Sequence, residues 1–355
     1  MKILLKGYYN AGNFGDDLLM ISASKIIREV FPGSELWIAH GNKMPLYSDR
    51  LVSDAHFISF EEIQPRDFDL IVFGGGGIFF GFRKKSLKWL LLNGFYKVFK
   101  KIPVWEEKIK NFHSVPTIGI GIGIGPYHRQ SASFIPHTVQ LKNFRYLSVR
   151  DKKSYSIIKA YHSRVKLHSD LVFSPLIKSL FDVKKQNKTG VGIIFRDWIY
   201  GDNRLEELVA LKKRLEARGK PVRFISYNPV NDMKGLDFLE NLGLNVLKYN
   251  PLKMNDFINE LSRFEWIISQ RAHGMIVAHL MKIPAIGIEL EPKLKNIHRI
   301  LPLSTRLVHL NEINKIPDLI SSTSVNENDF SLDKEKNENK ILELISDLKR
   351  HFLNK

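Results

Sequence analysis

The first 30 residues, MKILLKGYYNAGNFGDDLLMISASKIIREV, contain the pattern that decides the fold. An apolar run, Ile3–Gly7, ends in a glycine-bearing turn, and apolar residues at helical spacing follow from Asp16 to Val30. A short strand, a turn and a helix in this order are the sequence form of a βαβ unit. The order recurs along the chain, which predicts parallel sheets covered by helices on both faces.

The repeats fall into two series, and both predict α/β structure. In the first series the further candidate strands are Leu36–Ala39, Ala55–Ser59, Leu70–Phe73, Thr117–Ile122 and Tyr146–Val149, with candidate helices at Ser86–Val98 and Asp151–Ala160. A polar stretch, Asp182–Thr189, precedes the second series, which starts at Val191–Phe195. Finally, the polar stretch Ser321–Asn339 predicts a linker, and apolar residues at helical spacing from Ile341 to Phe352 predict a closing amphipathic helix.

We therefore expect two tandem Rossmann-like doubly wound domains, at residues 1–183 and 189–320, followed by a linker and helix at 321–355. The length of 355 residues agrees with two domains at roughly 150 residues per domain. Open sheets of this kind bind ligands outside the carboxyl ends of their strands. The function is thus expected in a cleft between the two domains.

Composition narrows the function classes. The chain has no cysteine, which excludes disulfides, thiolate nucleophiles and iron–sulfur clusters. The chain has 54 Lys plus Arg and 37 Asp plus Glu, so its net charge is +17. This charge attracts nucleic acid, anionic lipid or acidic small molecules. Neither a signal peptide nor a spanning segment is predicted, so we expect a cytoplasmic protein that is soluble or peripheral on the membrane.

The turn before the first helix is the first candidate site. Gly12, Asn13 and Gly15 precede Asp16 and Asp17, and such turns expose helix N-terminal amides that can hold an anion. The two acidic residues favour sugar hydroxyls over an anion. A capped tight turn without a ligand explains the same residues.

A run of four glycines, which includes Gly75, Gly76 and Gly77, follows the predicted strand Leu70–Phe73. Glycines are retained at an entropic cost where a backbone turns sharply or approaches another molecule closely. The alternating run Ile118–Pro126 predicts a strand whose glycine face lies against another backbone or a ligand. Close packing is the alternative for both runs.

Two arginines end predicted strands, and an arginine and a histidine begin a predicted helix. Arg150 and Arg196 fall at carboxyl ends of strands, where a guanidinium can bind carboxylate or phosphate in a bidentate fork. An ion pair with Asp151 is the alternative for Arg150. Arg271 and His273 follow the strand Trp266–Ser269, so a cation, free amides and an imidazole meet at one helix N-terminus. Anion binding and proton delivery are expected there.

A basic and aromatic segment, 84–101, suits a helix at a lipid interface, or equally a solvated lysine face over a core stripe. The 12 histidines form no zinc motif, and we expect neither a metal nor a cofactor.

Taken together, these segments resemble the polysaccharide pyruvyl transferase family. The resemblance rests on GNFGDD at Gly12–Asp17, the glycine run, RDKKS at Arg150–Ser154, HSD at His168–Asp170, RAH at Arg271–His273 and PAIGIELEPK at Pro284–Lys293. It implies a fold like that of the GT-B glycosyltransferases. It also implies transfer of the enolpyruvyl unit of phosphoenolpyruvate to a sugar as a ketal, with release of phosphate.

The resemblance further implies roles for single residues. Arg271, His273 and Arg196 would hold phosphoenolpyruvate, and His273 would be the general acid. Asp16 or Asp17 would accept a hydroxyl proton. The remaining positions would contact donor or acceptor, and they are Arg150, Gly12, Asn13, Gly15, Gly75, Gly76, Gly77, Glu289 and Lys293.

The expected acceptor is a sugar of a cell-surface polysaccharide or of its lipid-linked precursor. Two other functions fit part of the pattern. A nucleotide-sugar-dependent glycosyltransferase would use the same cleft, but would release nucleotide instead of phosphate. A non-catalytic protein that binds nucleic acid or anionic glycan would use the net charge, but predicts no arginine–histidine cluster and lacks a nucleic-acid motif.

Overall fold

A computed structural model of the chain describes residues 1–41, 44–81, 114–127, 131, 133–183, 187–198 and 201–353. Its first sheet has seven strands in the order β3-β2-β1-β4-β5-β6-β7, and every neighbouring pair is parallel. The strands are β1 Lys2–Lys6, β2 Glu35–His40, β3 His56–Ser59, β4 Leu70–Gly81, β5 Thr117–Tyr127, β6 Tyr146–Val149 and β7 Lys166–Leu167.

The second sheet has six parallel strands in the order β10-β9-β8-β11-β12-β13. They are β8 Val191–Phe195, β9 Val222–Ser226, β10 Val246–Lys248, β11 Trp266–Ser269, β12 Ala285–Glu289 and β13 Thr305–His309. In both sheets the first strand lies inside the sheet and the chain turns back across it, which is the doubly wound order. The predicted α/β class with two Rossmann-like sheets is confirmed.

Helices follow the strands as the repeats predict. They are α1 Phe14–Val30, α2 Phe134–Lys142, α3 Lys152–Ile158, α4 Leu205–Glu216, α5 Met233–Asn241, α6 Met254–Leu261, α7 Ala272–Leu280, α8 Pro292–Ile300, α9 Ile316–Ser322 and α10 Glu327–Phe352. The first is capped by Asn13, whose side chain accepts the Gly15 N–H at 3.1 Å. Such a cap satisfies an amide that has no partner inside the helix.

One hydrophobic cluster joins the two halves of the chain. Phe14 and Leu18 of α1 belong to the same buried cluster as Tyr227 and Phe257 of the second half. Leu344 of the last helix also belongs to it. Because burial of apolar side chains is the main stabilising term, the two sheets and the last helix support one another.

Both glycine runs lie inside strands, so the prediction that the first of these strands ends at Phe73 is wrong, whereas the strand predicted over Ile118–Pro126 is confirmed. The glycines of β4 pair with β5, and Gly76 lies opposite Ile122. Gly75 and Gly76 have φ angles of +75° and +78°, and the register shifts just beyond them. Glycine is needed here because a side chain strains the left-handed backbone that the irregular pairing requires.

The predicted linker over 321–339 is largely helical, because α10 begins at Glu327. The Asn326 N–H donates to the Asp329 side chain at 3.0 Å, which caps the new helix. Polar residues of this stretch are buried against the rest of the chain, and Asn337 accepts the Ser169 hydroxyl at 2.7 Å. The polar composition of this stretch predicted a linker. The contacts that bury its polar residues join segments far apart in sequence, and local composition does not show them.

The candidate helix Ser86–Val98 and the basic segment 84–101 lie outside the described residues, as does part of the polar stretch Asp182–Thr189. In the described part of the chain, no helix has the length and apolar composition needed to cross a bilayer.

Candidate active site

Five basic side chains lie together at the carboxyl ends of the strands. We call Arg150, Arg196, Arg271, His273 and Lys293 the cationic cluster. Arg150 and Arg196 follow β6 and β8, Arg271 and His273 begin α7 after β11, and Lys293 lies in the first turn of α8 after β12. Four of the five act electrostatically on the Asp16 carboxylate, and Arg196 acts on Arg271 and Lys293. Residues from both sheets thus form one site.

Each arginine of the cluster is held by a carboxylate. Arg150 donates to Asp170 at 2.7 Å, and Arg196 donates to Glu291 at 2.6 Å. Arg271 donates to Asp232 at 2.5 Å. All three carboxylates are at least nine-tenths buried, so the ion pairs fix the guanidinium groups in place.

These carboxylates were missed as site residues by the sequence reasoning. Asp170 and Glu291 belong to segments quoted for the family resemblance, but neither motif shows which cation it meets. Asp232 lies in no motif, and the sequence carried no signal for it. The alternative interpretation of Arg150, an ion pair with Asp151, is secondary because that pair is 3.9 Å apart.

Asp170 connects the two halves of the site. Besides Arg150, it lies 3.8 Å from Nε2 of His273 and accepts the Val172 N–H at 3.1 Å. Burial alone would raise the pKa of Asp170, but Arg150 and His273 outweigh burial and hold this pKa below its usual range. Asp170 is therefore a permanent negative charge beside the imidazole.

Asp16 lies in the middle of the cationic cluster. Burial raises the pKa of its carboxyl, and His273, Lys293, Arg271 and Arg150 act in the opposite direction. Asn13 donates to Asp16 at 2.7 Å and also caps the helix. Both polar ends of Asn13 thus have partners inside the protein, and its contact with a substrate stays a prediction.

Glycines of the first turn make room for other side chains. A methyl group on Gly15 would overlap the His273 ring. Gly12 has a φ of +64°, and its N–H donates to the Tyr47 hydroxyl at 2.8 Å. A methyl group on Gly12 would lie 2.7 Å from the sulfur of Met44. At Gly12 and Gly15, the groups that come close to the glycine backbone are therefore side chains of the protein itself.

The glycines of the two long strands divide into two groups. Gly75 and Gly76 are covered by Leu19, and Gly75 also by Leu171, which agrees with the alternative of close packing, and their contact with a substrate stays a prediction. Gly77 faces the site, because a methyl group there would lie 2.7 Å from Nζ of Lys293. Gly123 of β5 would likewise meet Nε of Arg150 at 2.9 Å. Missing side chains on adjacent strands thus leave space for two cations.

Two predicted site residues lie elsewhere. Asp17 is fully buried and accepts the hydroxyls of Tyr47 at 3.0 Å and Tyr249 at 2.8 Å. Burial raises the pKa of Asp17 to about 8, against the effect of these two hydrogen bonds. Glu289 pairs with the exposed His309 at 3.2 Å. The structure does not bring either carboxylate into the cationic cluster.

A cavity of about 720 Å³ lies beside Arg150 and Lys293. Its walls combine aromatic residues, Tyr127, Phe134 and Tyr161, with polar ones, and its floor includes the chain from Gly123 to Pro126. Ring centroids of Phe134 lie 5.1 Å from Tyr127 and 5.9 Å from Tyr161. The remaining lining residues are Asp151, Lys153, Ser154, Ile157, Ala160, Pro292 and Asn296.

Within the described ranges, one group of residues could offer three metal ligands, namely His168, Glu343 and Asp347. Lys166 and Arg350 lie 3.8 and 3.6 Å from Asp347 and already balance its charge. These side chains are not part of the cationic cluster. The absence of a metal from the reaction stays a prediction.

Two Rossmann-type sheets with one site at the carboxyl ends of their strands define an α/β protein of the GT-B class. Solved structures share this fold along nearly the whole chain. S. aureus MnaA bound to UDP has a TM-score of 0.64 at 11% identity, and the match covers 99% of this chain and 97% of that one. A glycosyltransferase from Rickettsia africae has a TM-score of 0.59 at 10% identity, with 99% and 98% covered.

A further similar structure is the UDP-GlcNAc 2-epimerase from Neisseria meningitidis, with a TM-score of 0.53, 13% identity and 100% of both chains covered. No curated protein sequence matches the chain. The family model for polysaccharide pyruvyl transferase matches residues 13–292. The chain belongs to the polysaccharide pyruvyl transferase family and is an enzyme of this kind, as the sequence resemblance predicted.

Proposed function

We propose that the enzyme transfers the pyruvyl group of phosphoenolpyruvate to a sugar of a cell-surface polysaccharide or of its lipid-linked precursor. The product is a ketal, and phosphate is released. The observation that carries this proposal is the cationic cluster, in which four of the five basic side chains act on one carboxylate, Asp16, and the fifth, Arg196, acts on Lys293. A compact anion with a carboxylate and a phosphate matches such a cluster better than a neutral sugar does.

The donor would be held mainly by the more accessible members of the cluster. The Arg196 side chain is 25% exposed and that of Lys293 is 21% exposed, whereas that of Arg150 is only 5% exposed. Because Glu291 contacts both Arg196 and Lys293, these two cations are already oriented before the donor binds. Preorganised charges stabilise a transition state without reorganisation. Direct charge neutralisation by side chains would make a metal unnecessary.

The chemistry would start at the methylene carbon of phosphoenolpyruvate. His273 would donate a proton to that carbon, which creates an oxocarbenium-like centre at C2. One sugar hydroxyl would attack C2 and give its proton to Asp16, and cleavage of the C2–O bond would then release phosphate. A second hydroxyl of the same sugar would complete the ketal. Of the two hydroxyl protons, one ends on the new methyl group and the other on phosphate.

The acceptor sugar would bind in the cavity beside Arg150 and Lys293. Aromatic walls pack against the apolar faces of sugar rings, and Asn296 offers hydrogen bonds to hydroxyls at the same place. Because Gly77 and Gly123 carry no side chain, Lys293 and Arg150 come close to the two strands, and both cations also line the cavity. A sugar in the cavity would then have its hydroxyls next to the donor.

The enzyme would work at the cytoplasmic face of the membrane if its acceptor is lipid-linked. The segment 84–101 carries this expectation, because lysines near an anionic surface contribute about 1 kcal/mol each.

A phosphate-release assay tests the proposal. The purified enzyme is given phosphoenolpyruvate with candidate lipid-linked or free saccharides, and the release of free phosphate is measured. Parallel reactions use UDP-sugars as donors, and the release of nucleotide is measured. We expect phosphate release only with phosphoenolpyruvate and a saccharide. His273→Ala should abolish this release while the fold is kept, and His56→Ala, at an exposed histidine, serves as the control. Turnover of a UDP-sugar without turnover of phosphoenolpyruvate would contradict the proposal.

A further inference from the structure

The start of α1 is inserted into the second half of the chain. The Phe14 side chain is fully buried, and its ring centroid lies 5.0 Å from those of Tyr227 and Tyr249 and 5.1 Å from that of Phe257. The Phe14 N–H also donates to the carbonyl of Tyr227 at 2.9 Å. A residue that follows β1 in sequence thus completes an aromatic core formed by loops and a helix around the second sheet.

Three residues later, a buried carboxylate joins the same two parts. The Tyr47 hydroxyl, from the first half, and the Tyr249 hydroxyl, from the second half, both donate to Asp17. The Tyr47 oxygen in turn accepts the Gly12 N–H. A fully buried carboxylate is costly unless it is hydrogen-bonded, so these hydrogen bonds stabilise the contact between the two parts at this point.

Asp16 and Gly15 lie in the same helical turn but point to the cationic cluster. Residues three apart share a helix face, so Phe14 and Asp17 face the second half together. Gly15 contacts the His273 ring instead, and Asp16 lies among the cations. One turn of helix therefore carries two docking residues and two residues of the site.

We propose that Asp17, held by Tyr47 and Tyr249, is a positioning residue that sets the distance between Asp16 and His273. Its effect on turnover rests on the proposed function, whereas its effect on the His273 environment does not. The side chain touches neither the cavity nor the cationic cluster, so it acts only through the helix turn that it anchors.

The charge state of Asp17 makes the proposal measurable. The groups that face its carboxyl are Tyr249, Tyr47 and the neighbouring Asp16. Burial and Asp16 raise the pKa of Asp17 to about 8, and the two hydroxyls lower it. Removing a hydroxyl must therefore move this pKa further upward, and asparagine at position 17 must remove the titration.

The test compares Tyr249→Phe and Asp17→Asn with the matched control Tyr146→Phe, whose buried hydroxyl has no hydrogen-bond partner among the residues that the structure describes. Circular dichroism establishes that each variant is folded. We expect Tyr249→Phe to lower kcat by about tenfold to a hundredfold, as displacement of reacting groups by about 1 Å does, with the KM for phosphoenolpyruvate within about twofold. The part of the pH profile of kcat that reflects the titration of Asp17 should move to higher pH in Tyr249→Phe. It should disappear in Asp17→Asn.

NMR of the imidazole resonances supplies a readout that needs no substrate. The His273 signals should shift in Tyr249→Phe and remain unchanged in Tyr146→Phe. A folded Tyr249→Phe enzyme with unchanged His273 signals would overturn the inference, whatever the substrate is. Loss of stability with unchanged kcat, pH profile and His273 signals would also overturn it, because Asp17 would then be structural only. Shifted His273 signals in a protein that does not turn over phosphoenolpyruvate would support the positioning role and reject the proposed function.

Discussion

Replacing Asp170 by asparagine removes the negative charge that joins Arg150 to His273. The substitution keeps the size of the side chain, and the asparagine oxygen can still accept the Val172 N–H. It leaves the Arg150 guanidinium, whose side chain is 5% exposed, without its partner at 2.7 Å. We therefore expect Asp170→Asn to lose both stability and turnover.

The size of the stability loss follows from burial. Breaking a buried ion pair by removing one partner costs about 3–5 kcal/mol. Asp151, 3.9 Å from Arg150, retains part of the compensation, so we expect the lower end, about 3 kcal/mol. Asp318→Asn is the matched control, because its pair with Arg218 is exposed on both sides and should contribute less than about 1 kcal/mol.

The pH dependence has a definite sign. Because Arg150 and His273 outweigh burial, the folded pKa of Asp170 lies below its usual range. Its contribution to stability is therefore complete above about pH 4 and is lost as the pH falls below that value. The difference in unfolding free energy between wild type and Asp170→Asn should thus be constant near neutrality and shrink below about pH 4.

Urea unfolding followed by circular dichroism from pH 3 to pH 8 measures this difference, and phosphate release at pH 7 measures turnover. A folded Asp170→Asn enzyme should lose at least about a hundredfold in turnover, because both Arg150 and His273 lose their anchor. An unfolding free energy equal to that of wild type at pH 7, or a difference that does not change below pH 4, would refute the assignment of Asp170 as the buried counter-charge.

Two further predictions concern other parts of the chain. Gly123→Ala should raise the KM for phosphoenolpyruvate by at least about tenfold, because the new methyl group would lie 2.9 Å from Nε of a buried and paired Arg150. Gly41→Ala, where the nearest atom would be 3.7 Å away, should leave KM unchanged, and equal KM values for the two variants would contradict the geometry. Exchange of six lysines for glutamine should release the enzyme from anionic vesicles sedimented at low salt, with soluble-acceptor turnover kept. The six lysines are Lys84, Lys85, Lys88, Lys97, Lys100 and Lys101. Vesicle binding that changes with neither salt nor the substitutions would identify an ordinary solvated segment.

The sequence predicted the two sheets because each strand is a compact apolar run with a local signal. The glycine-rich strands broke this rule, since Gly74–Gly77 has no apolar pattern and the strand continues only because β5 offers a partner along its length. The last helix failed for a related reason. Its polar residues are buried by contacts with distant segments, such as Ser169 with Asn337, which composition does not show.

The cations of the site could be predicted from the sequence, whereas most of its carboxylates could not. Arg271 and His273 stand at the end of a strand, and that position alone brings them to the ligand edge of the sheet. Asp232 comes from a different βα unit, and nothing near it in sequence indicates that it meets Arg271. Conversely, the adjacent acidic residues Asp16 and Asp17 look equivalent in sequence, but the helix turns them to different sides.

Under the proposed function, the position of Asp16 explains why its proton affinity should depend on the donor. In the free enzyme four cations oppose the effect of burial on the pKa of Asp16. A bound phosphoenolpyruvate would neutralise these cations and add negative charge nearby, and both effects raise the pKa of a carboxyl. Asp16 would then be a stronger base with the donor bound than in the free enzyme. Departure of phosphate removes this charge, so Asp16 returns to its weaker basicity and can give the proton up before the next cycle.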